Sequence, residues 1–495
     1  MGFPHRPSTF LRYIGAAVLL TLTLHYLHTS AFGAGPLSPA TPWGHKQGFD
    51  KHPIDPLIQL AGKEFTAKLS KATQTLEDAA AAYRKRRGRH PPPGFDKWYE
   101  FATDRNTIII EDFWDQIYHD LEPFWGVNPR QIRKDARDFE MRIEIRDGKA
   151  STTSDWFWTQ IWLSMIQTIE YLLPDMDLAI NGMDEPRVVV PWEDIDAYLK
   201  KAANTRNMAD VGNVVSKFGK LPPVGQAPEE EKGVMPGTVT PTGRWETDKH
   251  FWPVVRLGCA PNSPARQAKV ITNFNKTPFI ASSSSLAHMK EGYVANYTLS
   301  TDFCHQADLQ ALEGIFIEPL SVSTTHSLRP IFGGSKLSTN NDILLPAPIY
   351  WSEEDRFIGA SGASTPWSSK SPSAIWRGVA TGGNNNAFNW RSFQRHRFVT
   401  MNNATALSFP ASNPKSHPRS TSPSSKQYPC PTQHHPQTKT HLMCAFEAAG
   451  SDVRVCDYVA PHFSTVAQVD MAAQFGYKYL PDIDGTRLAG DTWGF

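Results

Sequence analysis

The sequence predicts an α/β protein, and two stretches together with the chain length carry that prediction. Leu173–Trp192 reads LPDMDLAINGMDEPRVVVPW, in which two apolar runs, Leu178–Ile180 and Val188–Val190, flank a polar break. Asn181-Gly182 and the residue before Pro186 disfavour helix, so the stretch is expected to fold as strand, turn, strand. Ser373–Val399 places an apolar strand, Ala374–Trp376, before Arg377-Gly378, a turn at Gly382-Gly383-Asn384 and a helix starting at Asn389. Strand, glycine-rich turn and helix in that order are the parts of a phosphate-binding α/β unit. At 495 residues the chain has room for two domains of ordinary size.

Composition narrows the function. Lys and Arg number 50 against 49 Asp and Glu, a formal net charge of +1, which argues against a bulk nucleic-acid binder. The 15 Trp and 27 Phe point to a packed, pocket-bearing protein. The five cysteines, Cys259, Cys304, Cys430, Cys444 and Cys456, are too few for a disulfide scaffold, and the odd count leaves one outside any intrachain pair. Cys259 and Cys304 flank a Ser/Thr-rich segment; they either bond in an oxidising lumen or stay as two buried thiols, and spacing does not choose.

At the N-terminus, Arg6 and Arg12 precede an apolar run from Tyr13 to Leu27. It suits a signal anchor for a thin membrane, with a cleaved signal peptide as the alternative, since Ala31–Ala34 offers small residues for cleavage. Positive charge before the run keeps the N-terminus cytoplasmic and the rest luminal. Sequons at Asn275, Asn296 and Asn403 agree with that location. Residues 31–55 are expected to form a flexible stem. Pro56–Arg86 has apolar residues at spacings of three and four and predicts one helix, a dimerising neck or, since no charge pattern enforces a long coiled coil, a helix packed on the body. The run Arg84–Arg89 is expected to be a solvated helix end, and Pro91-Pro92-Pro93-Gly94 stops any helix.

Further along, segment 153–172 predicts a buried helix, and Asn204–Lys249 a surface excursion. Glu318, Ser321, Ser323 and His326 invite a hydrolase triad, but no G-x-S-x-G elbow is present and the triad is rejected. Residues 405–440 are rich in Ser, Pro, Thr and His and are expected to be disordered. Cys430, His434, His435, His441 and Cys444 fit no standard zinc spacing, so no metal is expected there. Asp-x-Asp pairs recur at 175/177, 194/196 and 482/484, too cheap a pattern to assign to a metal.

Asp184, by pattern alone, is a turn residue whose carboxylate bonds nearby N–H groups. Set just past a buried strand, at the sheet edge where α/β proteins bind ligands, it is also placed to act as a general base. Arg377 carries a permanent charge that can meet two phosphate oxygens, and the backbone around Gly378, Gly382 and Gly383 can approach an anion.

Leu173, Pro174, Asp175, Ile180, Asn181, Asp184 and Pro186 together resemble the segment of glycosyltransferase family 90 that carries its catalytic aspartate. That family includes fungal capsule-associated proteins and animal protein O-glucosyltransferases. The segment His90–Trp98, the runs FIEPLSVSTTH and KLSTNNDILLPAPIYW, the Trp376-Arg377-Gly378 core and Tyr477–Gly485 resemble the same family. The resemblance spans roughly residues 80–485, broken at 405–440.

It implies two Rossmann-like domains in a metal-independent arrangement: an acceptor domain over 91–350 and a donor domain over 351–495, behind a tail and anchor (1–30) and a stem and helical neck (31–90). It also implies an inverting transfer of xylose or glucose from a UDP-sugar, the donor substrate, to a glycan or protein hydroxyl. Asp184 would be the base, and Arg377, Gly378, Gly382 and Gly383 would hold the diphosphate. No separate cofactor, no metal and no nucleic-acid partner are expected. The expected location is the Golgi membrane, single-pass, with a luminal catalytic region. Thr486–Phe495 departs from the family pattern, so the donor domain is expected to be incomplete and to have little or no transferase activity. The competing expectation is an inactive relative that binds carbohydrate or serves as a scaffold.

Overall fold

The computed structural model describes residues 52–183, 185–221, 245, 250–282, 285–319, 322–348, 351, 365–380, 382–402, 439–443 and 469–483. The Tyr13–Leu27 run, the stem up to residue 51 and nearly all of the 405–440 segment lie outside these residues. The described residues from Pro56 onward belong to one compact unit. Among the described residues, no helix is long and apolar enough to cross a membrane.

The helix expected over Pro56–Arg86 is two helices, α1 (Ile54–Leu69) and α2 (Leu76–Arg87). Between them Thr73 N–H donates to the Ile109 carbonyl at 2.9 Å, and Thr75 Oγ1 accepts from Asp78 N–H at 3.1 Å. A capping threonine needs extended backbone, so the helix cannot run through it. Gly88, at φ +66°, closes α2 by donating to Arg84 O, which is the stop the sequence marks. Packing on the body holds for α2, which buries Ala79 and Tyr83, and fails for α1, which buries nothing and leaves Ile58, Leu60 and Phe65 exposed.

The basic run is solvated only in part: Lys85 and Arg86 are exposed, whereas Arg87 and Arg89 are partly buried. Arg87 Nε donates to Glu111 Oε1 at 2.6 Å with both side chains nearly covered, and its guanidinium lies 3.8 Å over the Tyr118 ring. Arg86 pairs with Asp112 and Asp115. Arg89 donates to Thr205 O at 2.6 Å and stacks on Trp125. The 3₁₀ turn Glu111–Trp114 supplies a local acidic surface that the short-range sequence pattern does not reveal.

Helices α3 (Phe95–Thr103), α4 (Asp115–Leu121) and α5 (Pro129–Arg137) lead into the first sheet. Strands β1 (Arg142–Arg146) and β2 (Lys149–Ser151) form a hairpin whose turn, Asp147-Gly148, has positive φ at both residues, as a twisted two-residue hairpin requires. Helix α6 (Phe157–Gln167) and strand β3 (Met176–Ile180) follow. Leu178, Ala179 and Ile180 are all buried because both sheet faces are covered, which is why the run is unbroken by polar residues. One face meets Trp162 and Ile166 of α6; the other meets Phe124, Phe139, Val188 and Val190.

After α7 (Trp192–Ala203) the chain builds a second core of Phe251, Trp252, Phe303 and Phe316. Cys259 and Cys304 are bonded beside it, which decides the pairing that spacing left open. The small hairpin β4 (Met289–Lys290) and β5 (Tyr293–Val294) lies within that disulfide loop. Strands β6 (Ile331–Gly333) and β7 (Ile343–Leu344) then complete the first sheet, in the order β2-β1-β3-β6-β7. β1 is antiparallel to β3, whereas β3, β6 and β7 run parallel.

The second sheet has the order β10-β8-β9 and is wholly parallel, with β8 (Ser371–Val379), β9 (Lys439–Met443) and β10 (Tyr477–Tyr479). Its glycine-rich turn is followed by a 3₁₀ turn at Trp390–Ser392 and then α8 (Gln394–Met401), so regular α-helix starts later than the expected Asn389. The protein is thus α/β with mixed and parallel sheets.

Candidate functional site

The carboxyl ends of β3 and β6 lie side by side, and the chain leaving β3 is locked there. Asn181 N–H extends the parallel ladder to Phe332 O at 2.7 Å. Its side chain is buried and uses both ends: Oδ1 accepts from Met183 N–H at 3.0 Å, and Nδ2 donates to Glu185 O at 2.8 Å. Asn181 thereby pins both flanks of residue 184, which itself lies outside the described residues. Gly182 O accepts from the Trp156 indole at 2.7 Å. A Cβ on Gly182 would stand 2.6 Å from Met141 Sδ and 2.8 Å from Trp156 Cδ1, so the Asn-Gly pair serves close packing as well as the turn.

Beyond the loop, Val188–Val190 is extended as expected but is not a full strand. Only Val188 bridges a neighbour, Thr325. The other edge is satisfied by side chains and by Asn341 N–H, which donates to Val188 O at 2.8 Å. Asp342 accepts from Arg187 N–H at 2.9 Å and Val188 N–H at 2.9 Å, and Asn341 Oδ1 accepts from Val190 N–H at 3.0 Å. Asp342 is fully buried, and burial pushes its carboxyl up to about 6 against the pull of those N–H donors and the Lys336 charge.

Lys336 donates to the Asp342 carbonyl at 3.1 Å and pairs with Asp120, with both side chains almost wholly covered. Asp120 also accepts from Leu344 N–H at 3.0 Å and Gln116 Nε2 at 2.7 Å. Burial raises its pKa, but His119, Lys336 and Leu344 N–H outweigh burial and hold it below the ordinary value. This buried network fixes the loops after β6 and before β7, next to the Asn181 turn. Asp120, Lys336 and Asp342 were not singled out from sequence. The one local sign is the polar triplet Asn340-Asn341-Asp342 placed directly before an apolar strand.

On the second sheet, Arg377 is half-buried near the end of β8, where it is in register with His441 of β9. A Cβ on Gly378 would fall 2.3 Å from the Trp376 ring. Gly382 and Gly383 have φ of +103° and +125°, which favours glycine. The space beside them is filled: a Cβ on Gly383 would lie 2.6 Å from Gly314 O, and one on Gly314 would lie 1.7 Å from Gly382 O. Asn384 N–H donates to Glu318 O at 2.7 Å, and the Glu318 carboxylate accepts from the Asn384 amide at 2.8 Å and the Asn389 amide at 3.1 Å. The turn is therefore a docking joint between β8 and the 314–318 segment. The described contacts of this turn and of the 181–185 loop share no residue.

Asp175 and Asp177 brace the β1–β2 hairpin, through Asp147 N–H and Arg146, and Asp196 pairs with Lys200 along α7. Among the described residues, no three His, Cys, Asp or Glu side chains cluster as metal ligands. No family model matches this chain, and no curated protein matches it. The resemblance to glycosyltransferase family 90 rests on the separated motifs alone.

Proposed function

We propose that the protein is an inverting glycosyltransferase that uses a UDP-sugar, UDP-xylose or UDP-glucose, and an acceptor hydroxyl on a glycan or protein. In this proposal the two sheets belong to two Rossmann-like halves, and the catalytic region is luminal, held to the Golgi membrane by the N-terminal segment. The Asp184 carboxylate takes the proton from the acceptor hydroxyl as its oxygen attacks the anomeric carbon. The bond from that carbon to the diphosphate breaks, and UDP leaves with the electron pair. Arg377 balances the charge that develops on the departing diphosphate, with the backbone of Gly378, Gly382 and Gly383 around it.

One observation carries the proposal most: buried Asn181 spends both side-chain hydrogen bonds on the two flanks of residue 184, at the carboxyl edge of parallel strands. Met183 and Glu185, on either side of residue 184, are thereby tied to the end of β3. The test is Asp184→Asn assayed for UDP release with both UDP-sugars and a free-sugar acceptor. Turnover is expected to fall by about two to four decades while UDP affinity is kept. Unchanged turnover removes Asp184 from the mechanism.

The carbohydrate-binding alternative has its own support. The glycine-rich turn directs the Asn384 N–H to Glu318 O, and its open side is taken by Gly314. Sugar binding with neither UDP binding nor UDP release in the wild-type chain would favour that alternative.

A further inference from the structure

We propose that Asn296 is an N-glycosylation site, carrying an oligosaccharide on its amide nitrogen. The proposal rests on the luminal location put forward above and goes beyond the transfer reaction, because here the chain is the acceptor.

The sequon Asn296-Tyr297-Thr298 follows the β4–β5 hairpin, whose turn Glu291-Gly292 has φ of +50° and +89°. The chain is folded back at that point: Ala295 N–H and Asn296 N–H both approach the His288 carbonyl, at 2.8 Å and 3.2 Å, and His288 is buried. From this anchored base Asn296, Tyr297 and Thr298 all stand exposed. Asn296 caps the one-turn helix Tyr297–Ser300 by accepting from Leu299 N–H at 2.9 Å through Oδ1. An N-linked sugar attaches through Nδ2. The cap uses the other atom of the amide, so the modified residue keeps its hydrogen bond and the fold loses nothing.

The Cys259–Cys304 bond encloses the same segment and points independently to the same compartment. A bonded pair persists where the surroundings are oxidising, as in the secretory lumen where sequons are modified. Asn275 lies in the same loop, but Pro278 directly follows its sequon and restricts the backbone of Thr277.

The chemistry balances with a lipid-linked oligosaccharide diphosphate as donor. The bond from the sugar C1 to the phosphate oxygen breaks, and a C1–Nδ2 bond forms. The lipid diphosphate leaves as the anion, and one Nδ2 proton passes to solvent. The residue two places on must supply a hydroxyl, so Thr298→Ser preserves the site and Thr298→Ala removes it.

The test expresses the full chain in a eukaryotic secretory host. It then treats the chain with an amidase that converts glycosylated asparagine to aspartate, and reads both the Asn296 peptide and the Cys259–Cys304 linkage by mass spectrometry. Aspartate is expected at 296 only after amidase treatment. Asn296→Gln and Thr298→Ala are each expected to lose one gel-mobility step, while Thr298→Ser keeps it. An unmodified Asn296 in chains that carry the disulfide overturns the site. Absence of both the glycan and the disulfide overturns the site together with the luminal location.

Discussion

Asn181 offers the sharpest perturbation of the loop after β3, because a single buried side chain holds both of its ends. In Asn181→Ala, Met183 N–H loses its acceptor and Glu185 O loses its donor. A buried polar group left without a partner costs about 1–3 kcal/mol. The Glu185 bond is buried and stands near the upper end of that range, whereas the Met183 bond is half-covered and stands near the lower end, giving about 4 kcal/mol in all. Asn181→Asp keeps the acceptor for Met183 but turns a carboxylate oxygen towards Glu185 O. It also adds a negative charge where Gly333 already has Asn181 and the Asp342 carboxylate as neighbours. Burial and the Asp342 charge should raise the new carboxyl above its unfolded value. A raised acid is protonated in the folded state while the unfolded chain has already ionised, so stability falls as pH rises through that window. Urea unfolding should therefore place Asn181→Asp close to Asn181→Ala near about pH 5 and well below it near about pH 8, with the alanine deficit constant. A wild-type midpoint for Asn181→Ala, or a pH-independent deficit for Asn181→Asp, would refute the reasoning.

Three other outcomes are expected. Calorimetric titration of UDP should show Arg377→Ala binding much more weakly than wild type and Arg377→Lys recovering only part of the loss, since lysine lacks the planar two-point contact; equal affinity for all three would leave Arg377 a structural residue. Gly314→Ala should lower stability by about 3 kcal/mol or more, because its Cβ would sit 1.7 Å from Gly382 O, while Gly212→Ala, with nothing within 4 Å, should change little; similar melting temperatures for the two variants would contradict this joint. His396, buried on α8, has its pKa lowered by burial and by Arg395 to about 4, so above its unfolded value of 6.5 it contributes no pH dependence. As pH falls from 6.5 towards 4 the unfolded chain binds a proton that the folded one refuses, and stability drops by about 3 kcal/mol. His396→Phe should remove that acid-side loss, and an imidazole titrating near its unfolded value by NMR would count against it.

Much of the local structure was written in short-range chemistry. Asn181-Gly182 and Pro186 set the turn after β3, the apolar run Leu178–Ile180 set the strand, and Gly88 set the end of α2. Positive φ, fixed proline geometry and an unbroken apolar run are properties of a few neighbouring residues, so they survive in one dimension. The glycine-rich turn was legible as a turn for the same reason. That Gly382 and Gly383 fit against Gly314 and Glu318, 64 or more residues away in sequence, was not.

The sequence by itself determined an α/β chain with a kinked, polar exit from a buried strand. Tertiary structure alone decided what fastens that exit. The Val188–Val190 edge is completed by Asp342 and Asn341, not by a full strand, and Lys336 reaches Asp120 across more than 200 residues of sequence. Burial of those charges is tolerated only because each meets its partners in three dimensions. A carboxylate's neighbours in sequence carry no record of which distant N–H groups or ammonium will neutralise it. The Cys259–Cys304 pairing was undecided on the page for the same reason: it needed the core of Phe251, Trp252, Phe303 and Phe316 to bring the two thiols together.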